Sequence, residues 1–448
     1  MTTASNEVGA LIDTRALNAR QVSIIVLCGL VVLLDGFDLQ TMALAVPSLT
    51  QEWQAESAAF SFALSAALIG MLLGSAVVAP LGDRIGRRPV LIGGMIAVGA
   101  GSLLTGFATD PTDLSIWRFV TGLGLGMSLP NATALTSEYV PLRSRVLLIS
   151  LMYCCVALGA LIAGFVAPAL IDAFGWRSIF FVGGVLPLAV AVILALAIPE
   201  SLRLLVARRP GDPRIPLIAA RFLPGVDPAT LVAHTTERVD EPNVLSLLTP
   251  AYRARTILLW LTFALNLFIL FVLVSWLPTV LSDAGWTRAQ ALRGSVMNQA
   301  GGIVGGLLIA WLIDRGRVMP AMIGGYLLVA IALSLFLAVP STVPSWVTLL
   351  LLVGAGVSGG QVALNAMSVL FYPPPLRATG SGWANTLGRV GALLAPFAGG
   401  LVLRHLDLEP VQQLALIVVP VLLCALCAAL LCLAGRTPQP AAASHSIV

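Results

Sequence analysis

The chain of 448 residues is 58% hydrophobic and only 10% charged, with a mean hydropathy of +0.96. Soluble domains carry about 25% charged residues, so this composition describes a membrane protein of many spans. All 25 basic residues are Arg, and the net charge of +4 is spread over many short loops. Schiff-base and P-loop lysine chemistry are thereby excluded, and nothing suggests a nucleic-acid-binding face.

In chain order, residues 1–21 form a polar tail without a basic stretch leading to a cleavage site, so the first apolar segment is expected to stay as an anchor. Runs long enough to cross a hydrocarbon core follow at 22–46, 58–81, 90–109, 114–137, 146–171 and 178–198. A connection rich in Pro, Arg and Asp occupies 199–254. Six more runs lie at 255–281, 291–313, 319–340, 346–371, 378–403 and 411–434, before a tail at 435–448. The expected organisation is two six-span bundles, 22–198 and 255–434, joined by a central loop. Cytoplasmic loops retain excess positive charge. Placing both termini in the cytoplasm leaves only Arg177, Arg288, Arg293 and Arg404 in outer loops, which also puts 1–21, 199–254 and 435–448 inside.

The first span carries "LLDGFD". A charged Asp at the centre of a spanning helix costs about 2.5 to 3.5 kcal/mol, so two in one segment call for a reason. Asp35 and Asp38 share one helix face, and two carboxylates that close in a low dielectric disfavour double ionisation. They are candidates for proton coupling, against the plainer reading of helix-to-helix hydrogen bonds. Gly36 between them permits close backbone approach. In the fourth span Arg118 heads a stripe of Gly122, Gly124 and Gly126, whose ordinary use is close helix packing, and Glu138 at its far end is expected to pair with a loop Arg such as Arg143.

Arg389 falls about midway along the eleventh span, and the predicted span interiors of the second half hold no acid. A guanidinium there suits a carboxylate ligand held by two hydrogen bonds; its alternative is a permanent pair with an acid of the first span. Asn298 and Gln299 in span 8, Gln361 and Asn365 one turn apart in span 10, and Asn385 in span 11 are candidate ligand contacts, equally able to bridge helices. Trp383, Phe37 and Tyr153 are candidates to stack on a ring, against the commoner role of packing. The six Cys lie in apolar segments and read as small buried hydrophobes. The three His fall in loops or the tail, so no metal or proton-relay cluster is formed from them.

The loop after span 2, "GDRIGRRPVL", and "RFVTGLGLG" in span 4 resemble signature segments of the major facilitator superfamily. "DGFD", "SLPNATALTSEYVP", "FGWRSIFFVGGVLPL", "GGQVALNAMSVLFYP" and "RATGSGWANTLGRVGALLAP" resemble its aromatic acid:proton symporters in particular. The loop after span 8, "WLIDRGRVMP", echoes the one after span 2, as in a transporter built from two related bundles. The resemblance implies an all-α fold of twelve transmembrane helices in two six-helix bundles. It implies import of a small, hydroxybenzoate-like aromatic carboxylate with protons as the coupling ion, by alternating access, with no other cofactor. The expected setting is a multi-pass monomer in a bacterial cytoplasmic membrane; another organic anion, or drug/proton antiport, is the alternative within the same fold. It further implies coupling at Asp35 and Asp38, a substrate-binding part for Arg118 with one of those acids as its partner, and a conformational latch. That latch would comprise Gly82, Asp83, Arg84, Gly86, Arg87 and Arg88 with Glu138, Arg143 and Arg377, Asp83 being paired with Arg377, Arg143 or Arg145. An enzyme is not expected: no nucleophile with its base, and no ligand cluster, lies at span depth.

Overall fold

The computed structural model describes residues 11–13, 17–209, 211–222, 244–250, 252–340, 342–372, 376–406 and 408–435. They divide into two units, Met1–Asp240 and Glu241–Val448. Among the described residues the regular structure is helical.

The first unit contains α1 (Ala19–Trp53), α2 (Ala58–Ile85), α3 (Arg87–Gly106), α4 (Pro111–Tyr139), α5 (Leu142–Phe174) and α6 (Arg177–Ala197), followed by the short α7 (Leu202–Arg208) and α8 (Arg214–Phe222). Capping chemistry sets two of the starts. Asn18 and Gln21 exchange side-chain and backbone hydrogen bonds of 2.8 Å at the head of α1. Asp110 accepts from the N–H groups of Thr112 and Asp113 just before Pro111 opens α4. Within the unit α1 packs on α5, α2 and α3 on α4, and α3 on α6. The contacts are backbone-close. A Cβ on Gly36 would collide with the Val156 carbonyl of α5, and one on Gly122 would collide with the Ala67 backbone of α2. Small residues serve this purpose where lipid offers no hydrophobic drive for association.

The second unit contains α9 (Arg253–Asp283), α10 (Arg288–Asp314), α11 (Val318–Leu335), α12 (Val343–Leu370), α13 (Arg377–His405), α14 (Pro410–Leu416) and α15 (Val418–Gly435). Here α9 packs on α13, α10 and α11 on α12, and α11 on α15. Counted by span, these are the same pairings as in the first unit, so the similarity between the loops after spans 2 and 8 extends to the architecture.

Eleven of the expected spans are helices long and apolar enough to cross a membrane. The remaining one, α4, has 29 residues but carries Asp113, Arg118, Asn131 and Glu138, because it bears much of the unit's polar chemistry. Several helices outrun the apolar runs in the sequence: α1 has 35 residues rather than the 25 of segment 22–46. Hydropathy marks only the stretch in hydrocarbon, whereas the helix continues to Glu52, which accepts from Trp176 Nε1 at 2.7 Å and Arg177 Nη1 at 2.6 Å. Three other features differ from expectation. Near its end α2 passes through a π-helical turn, Gly74–Val78, and a 3-10 turn, Ala79–Leu81. The last expected span is broken at Ile417 into α14 and α15. Within segment 199–254, α7 and α8 bury Leu202, Leu205, Val206, Ile215, Ile218, Ala219 and Phe222 in the core of the first unit. Cys28, Cys424 and Cys427 are buried as expected of small hydrophobes, but Cys154 is exposed.

Candidate functional site

In the first unit the charged centre is a fully buried ion pair. Arg118 Nη1 donates to Asp38 Oδ1 at 2.9 Å and Nη2 to Asp38 Oδ2 at 2.7 Å, with both residues 1% exposed. The guanidinium also lies over the Phe180 ring of α6, 5.9 Å from its centroid. Of the two acids expected to face Arg118, the structure gives the bidentate pair to Asp38. Asp35, one turn earlier, is buried at 5% exposure. The arrangement follows from local packing: Gly36 brings α1 onto α5, and the small residues of α4 seat that helix against α2 and α3, so α1 and α4 run close enough for the pair to form. Phe37 departs from the expected ring-stacking role. It is 5% exposed, and its ring lies beside Gly183 of α6, so it is packing within the unit.

At the Arg-rich end of the same unit the polar residues form a knot. Arg87 pairs with Glu138 and, at 3.2 Å, with Asp83 one turn earlier in the chain. Glu138 takes a loop Arg, Arg87. Asp83 is bonded to Arg87 as well, while Arg145, one of the partners expected for Asp83, pairs with Asp13 at 3.6 Å. Arg87 opens α3 directly after the sharp turn from α2, within reach of both acids. The side chains of Arg143 and Arg377 lie outside the described residues. Arg84 is exposed, whereas Gly82 is buried against the Asn131 side chain. Gly86 has φ 124° and ψ 146°, and a Cβ there would run into the Glu200 carboxylate.

Glu200 is one of the residues that sequence reasoning missed. Its Oε1 accepts from the backbone N–H groups of Arg87 at 2.9 Å, Arg88 at 3.3 Å and Ser201 at 2.9 Å, so a carboxylate from a distant stretch of chain caps the positive end of α3. Tyr139 Oη donates to the Glu200 carbonyl at 2.7 Å, and Gln21 Nε2 donates to the Tyr139 carbonyl at 2.8 Å. An acid in "IPES", directly after the sixth apolar run, was the available signal. Outside the spans, burial and the nearby Arg145 depress Arg203 from its ordinary value, and hydrogen bonds from Arg214 hold Asp212 down at about 2.

In the second unit a neutral chain of hydrogen bonds links three helices. Tyr326 Oη donates to Asn266 Oδ1 at 3.0 Å, Asn266 Nδ2 to Gln361 Oε1 at 2.8 Å, and Gln361 Nε2 to Asn365 Oδ1 at 3.3 Å. Tyr326 and Asn266 are 0% exposed, whereas Gln361 is half-buried and Asn365 exposed. The chain therefore runs from the core of the unit to an accessible amide. Asn266 and Tyr326 were not singled out in the sequence, since one polar residue inside an apolar run gives no sign of its partner. Arg389 is half-buried midway along α13. Gly388 and Gly391 on either side of it lie on α9 at Leu267 and Ala264, the level of Asn266. Asn298 is buried and Gln299 half-buried on α10. Asn385 donates to the Ser381 carbonyl at 3.0 Å. Trp383 is 41% exposed with its ring 6.3 Å from Trp260, and Tyr153 is 45% exposed, 3.3 Å from the Thr133 hydroxyl.

Twelve spans in two units of like pairing, with charge and amide chemistry buried at span depth, are the architecture of a membrane carrier. The Major Facilitator Superfamily model matches residues 28–396 and again 294–446. The 4-hydroxybenzoate transporter PcaK of Pseudomonas aeruginosa is 38% identical, over 89% of this chain and 89% of its own. The gallate transporter of Pseudomonas putida is 37% identical over 88% of each, and the 3-(3-hydroxy-phenyl)propionate transporter of Escherichia coli is 33% identical over 84% of this chain and 86% of its own. Among solved structures, the partially occluded inward-open xylose transporter XylE of Escherichia coli matches with a TM-score of 0.71, at 16% identity, over 91% of this chain and 97% of that one; that likeness concerns the fold alone. The chain belongs to the major facilitator superfamily, among its aromatic acid transporters.

Proposed function

We propose that this protein imports a small hydroxylated aromatic carboxylate together with protons, by alternating access in a bacterial cytoplasmic membrane with its Arg-rich end inside. The observation that carries the coupling is the Asp38–Arg118 pair. Both carboxylate oxygens of Asp38 are engaged by the Arg118 guanidinium. The proton-carrying role then falls to Asp35, buried one turn away on the same helix. The relatives named as transporters of 4-hydroxybenzoate, gallate and hydroxyphenylpropionate support the substrate class. Arg389 supplies the charge for the carboxylate, and the amide of Asn365, backed by Gln361, Asn266 and Tyr326, supplies a partner for a ring hydroxyl. Gln299, Asn298 and Trp383 are further candidate contacts. The knot around Arg87 acts as the latch between access states.

The test is uptake of labelled 4-hydroxybenzoate into proteoliposomes with and without an imposed pH gradient. Accumulation above equilibrium is expected only with the inside alkaline, and a protonophore should abolish it. Accumulation indifferent to both would overturn proton coupling.

A further inference from the structure

A cavity of about 510 Å³ opens on the first unit where α6 ends, bounded by the start of α1 and by α8. Four guanidinium groups line it: Arg20, Arg88, Arg214 and Arg221. The acids nearby are already engaged. Glu200, which also lines it, has Oε1 taken by three backbone N–H groups, and Asp212 is bonded to Arg214 at 2.9 and 2.7 Å. Even counting both acids, the cavity has an excess of positive charge. Arg20 Nη1 donates to the Arg221 carbonyl at 3.2 Å, tying the end of α8 to the first span.

The rim has a second, independent character. Leu196 is 85% exposed and Leu217 is 65% exposed, and both line the cavity beside the Arg residues. From Leu196 an apolar stripe runs back along α6 through Val192 and Ile193, 60% and 44% exposed, to Val185 and Leu186, 57% and 44% exposed. Residues spaced three and four apart hold one helix face, so the stripe leads from the cavity mouth along a membrane span. On the other wall α8 buries Ile215, Ile218, Ala219 and Phe222 in the core of the unit, which leaves Arg214 and Arg221 at the cavity.

A soluble anion needs the guanidinium groups but has no use for exposed leucines that continue into a spanning helix. We infer that this cavity binds the headgroup of an anionic phospholipid, its phosphodiester among Arg20, Arg88, Arg214 and Arg221 and its acyl chains along Leu196 and the outer face of α6. Basic pockets where helices leave the bilayer recognise such headgroups by charge. The bound lipid would bridge α1, α6 and α8 and so hold the start of the central segment against the first unit.

The test is native mass spectrometry of the full-length protein in detergent, titrated with phosphatidylglycerol or, in parallel, phosphatidylethanolamine. Wild type should retain phosphatidylglycerol at least tenfold better. Affinity should fall about fivefold for each of R20Q, R214Q and R221Q, while R317Q in the second unit should leave it unchanged. D212N, which frees Arg214, should raise affinity, so the proposal stays decidable if any of the Arg variants fails to fold. Equal retention of the two lipids, Arg variants that bind as wild type does, or an unchanged D212N would each overturn it. Displacement of phosphatidylglycerol by millimolar inorganic phosphate would also overturn it, reassigning the cavity to a soluble anion.

Discussion

Replacing Asp38 by Asn removes the counter-charge of a guanidinium that is 1% exposed and held by two hydrogen bonds of 2.9 and 2.7 Å. At charge separations near 4 Å and an effective dielectric of about 20, the lost attraction is about 4 kcal/mol. Removing one partner of a buried pair generally costs about 3 to 5 kcal/mol, which agrees. D38N should therefore lower the folded-to-unfolded ratio by roughly two to four decades, and R118Q should do the same because it strands Asp38. The double variant D38N/R118Q leaves neither partner of the pair charged and should recover to within about 1 kcal/mol of wild type. The assay is a denaturation cycle on the purified protein in detergent, with wild type, both single variants and the double. If D38N alone costs under about 1 kcal/mol, or if the two losses simply add, the pair is not the electrostatic anchor of the unit and the assignment of the proton to Asp35 loses its basis. D35N, by contrast, should fold and still exchange labelled for unlabelled substrate, but fail to accumulate it against a gradient.

Arg389→Gln should raise the KM for 4-hydroxybenzoate about tenfold to a hundredfold, and Arg389→Lys should raise it less, since the charge remains while the fork is lost; concentration-dependent uptake measures both. Asn365→Ala should weaken 4-hydroxybenzoate about twofold to tenfold and leave unsubstituted benzoate unchanged, the difference being one neutral hydrogen bond of about 0.5 to 1.5 kcal/mol; competition between the two acids reads it. Asp212, held at about 2 by the Arg214 hydrogen bonds, contributes stability above its ordinary value near 4 and loses it only as pH falls through 2. D212N should therefore leave the shape of the uptake profile between pH 5 and 8 unaltered, and a shifted profile would show that the pair takes part in coupling.

Span number and the division into like halves were readable because hydrocarbon thickness imposes a length on every apolar run. The identity of Asp35, Asp38 and Arg118 as buried charges was readable for the same reason, since each interrupts such a run. The particular pairing Asp38–Arg118 was not, because both acids lie on one face of α1 and only the approach of α4 chooses between them. The part of Arg87 in the knot was not legible for a related reason. "GDRIGRRP" offers three Arg to two acids, and the turn at Gly86 alone decides that Arg87 faces both. Glu200 and Asn266 escaped because each acts on a partner more than ninety residues away in sequence, a separation over which a local pattern carries no information.

The two units share helix pairings but not chemistry, and that asymmetry bears on how work is divided. In the first unit an ion pair at span depth engages one carboxylate, and on the proposed reading the second carboxyl of the same helix face takes and releases the proton. In the second unit the equivalent depth carries an Arg half-buried on α13 and a neutral chain ending in an exposed amide, donors suited to an anion with a hydroxyl. Exchanging these roles would require the first unit to admit a carboxylate beside Asp38, where like charge repels it, and the second to move protons through amides and a phenol that do not titrate in the working range. Proton handling in the first unit and substrate recognition in the second is therefore the division of roles we propose.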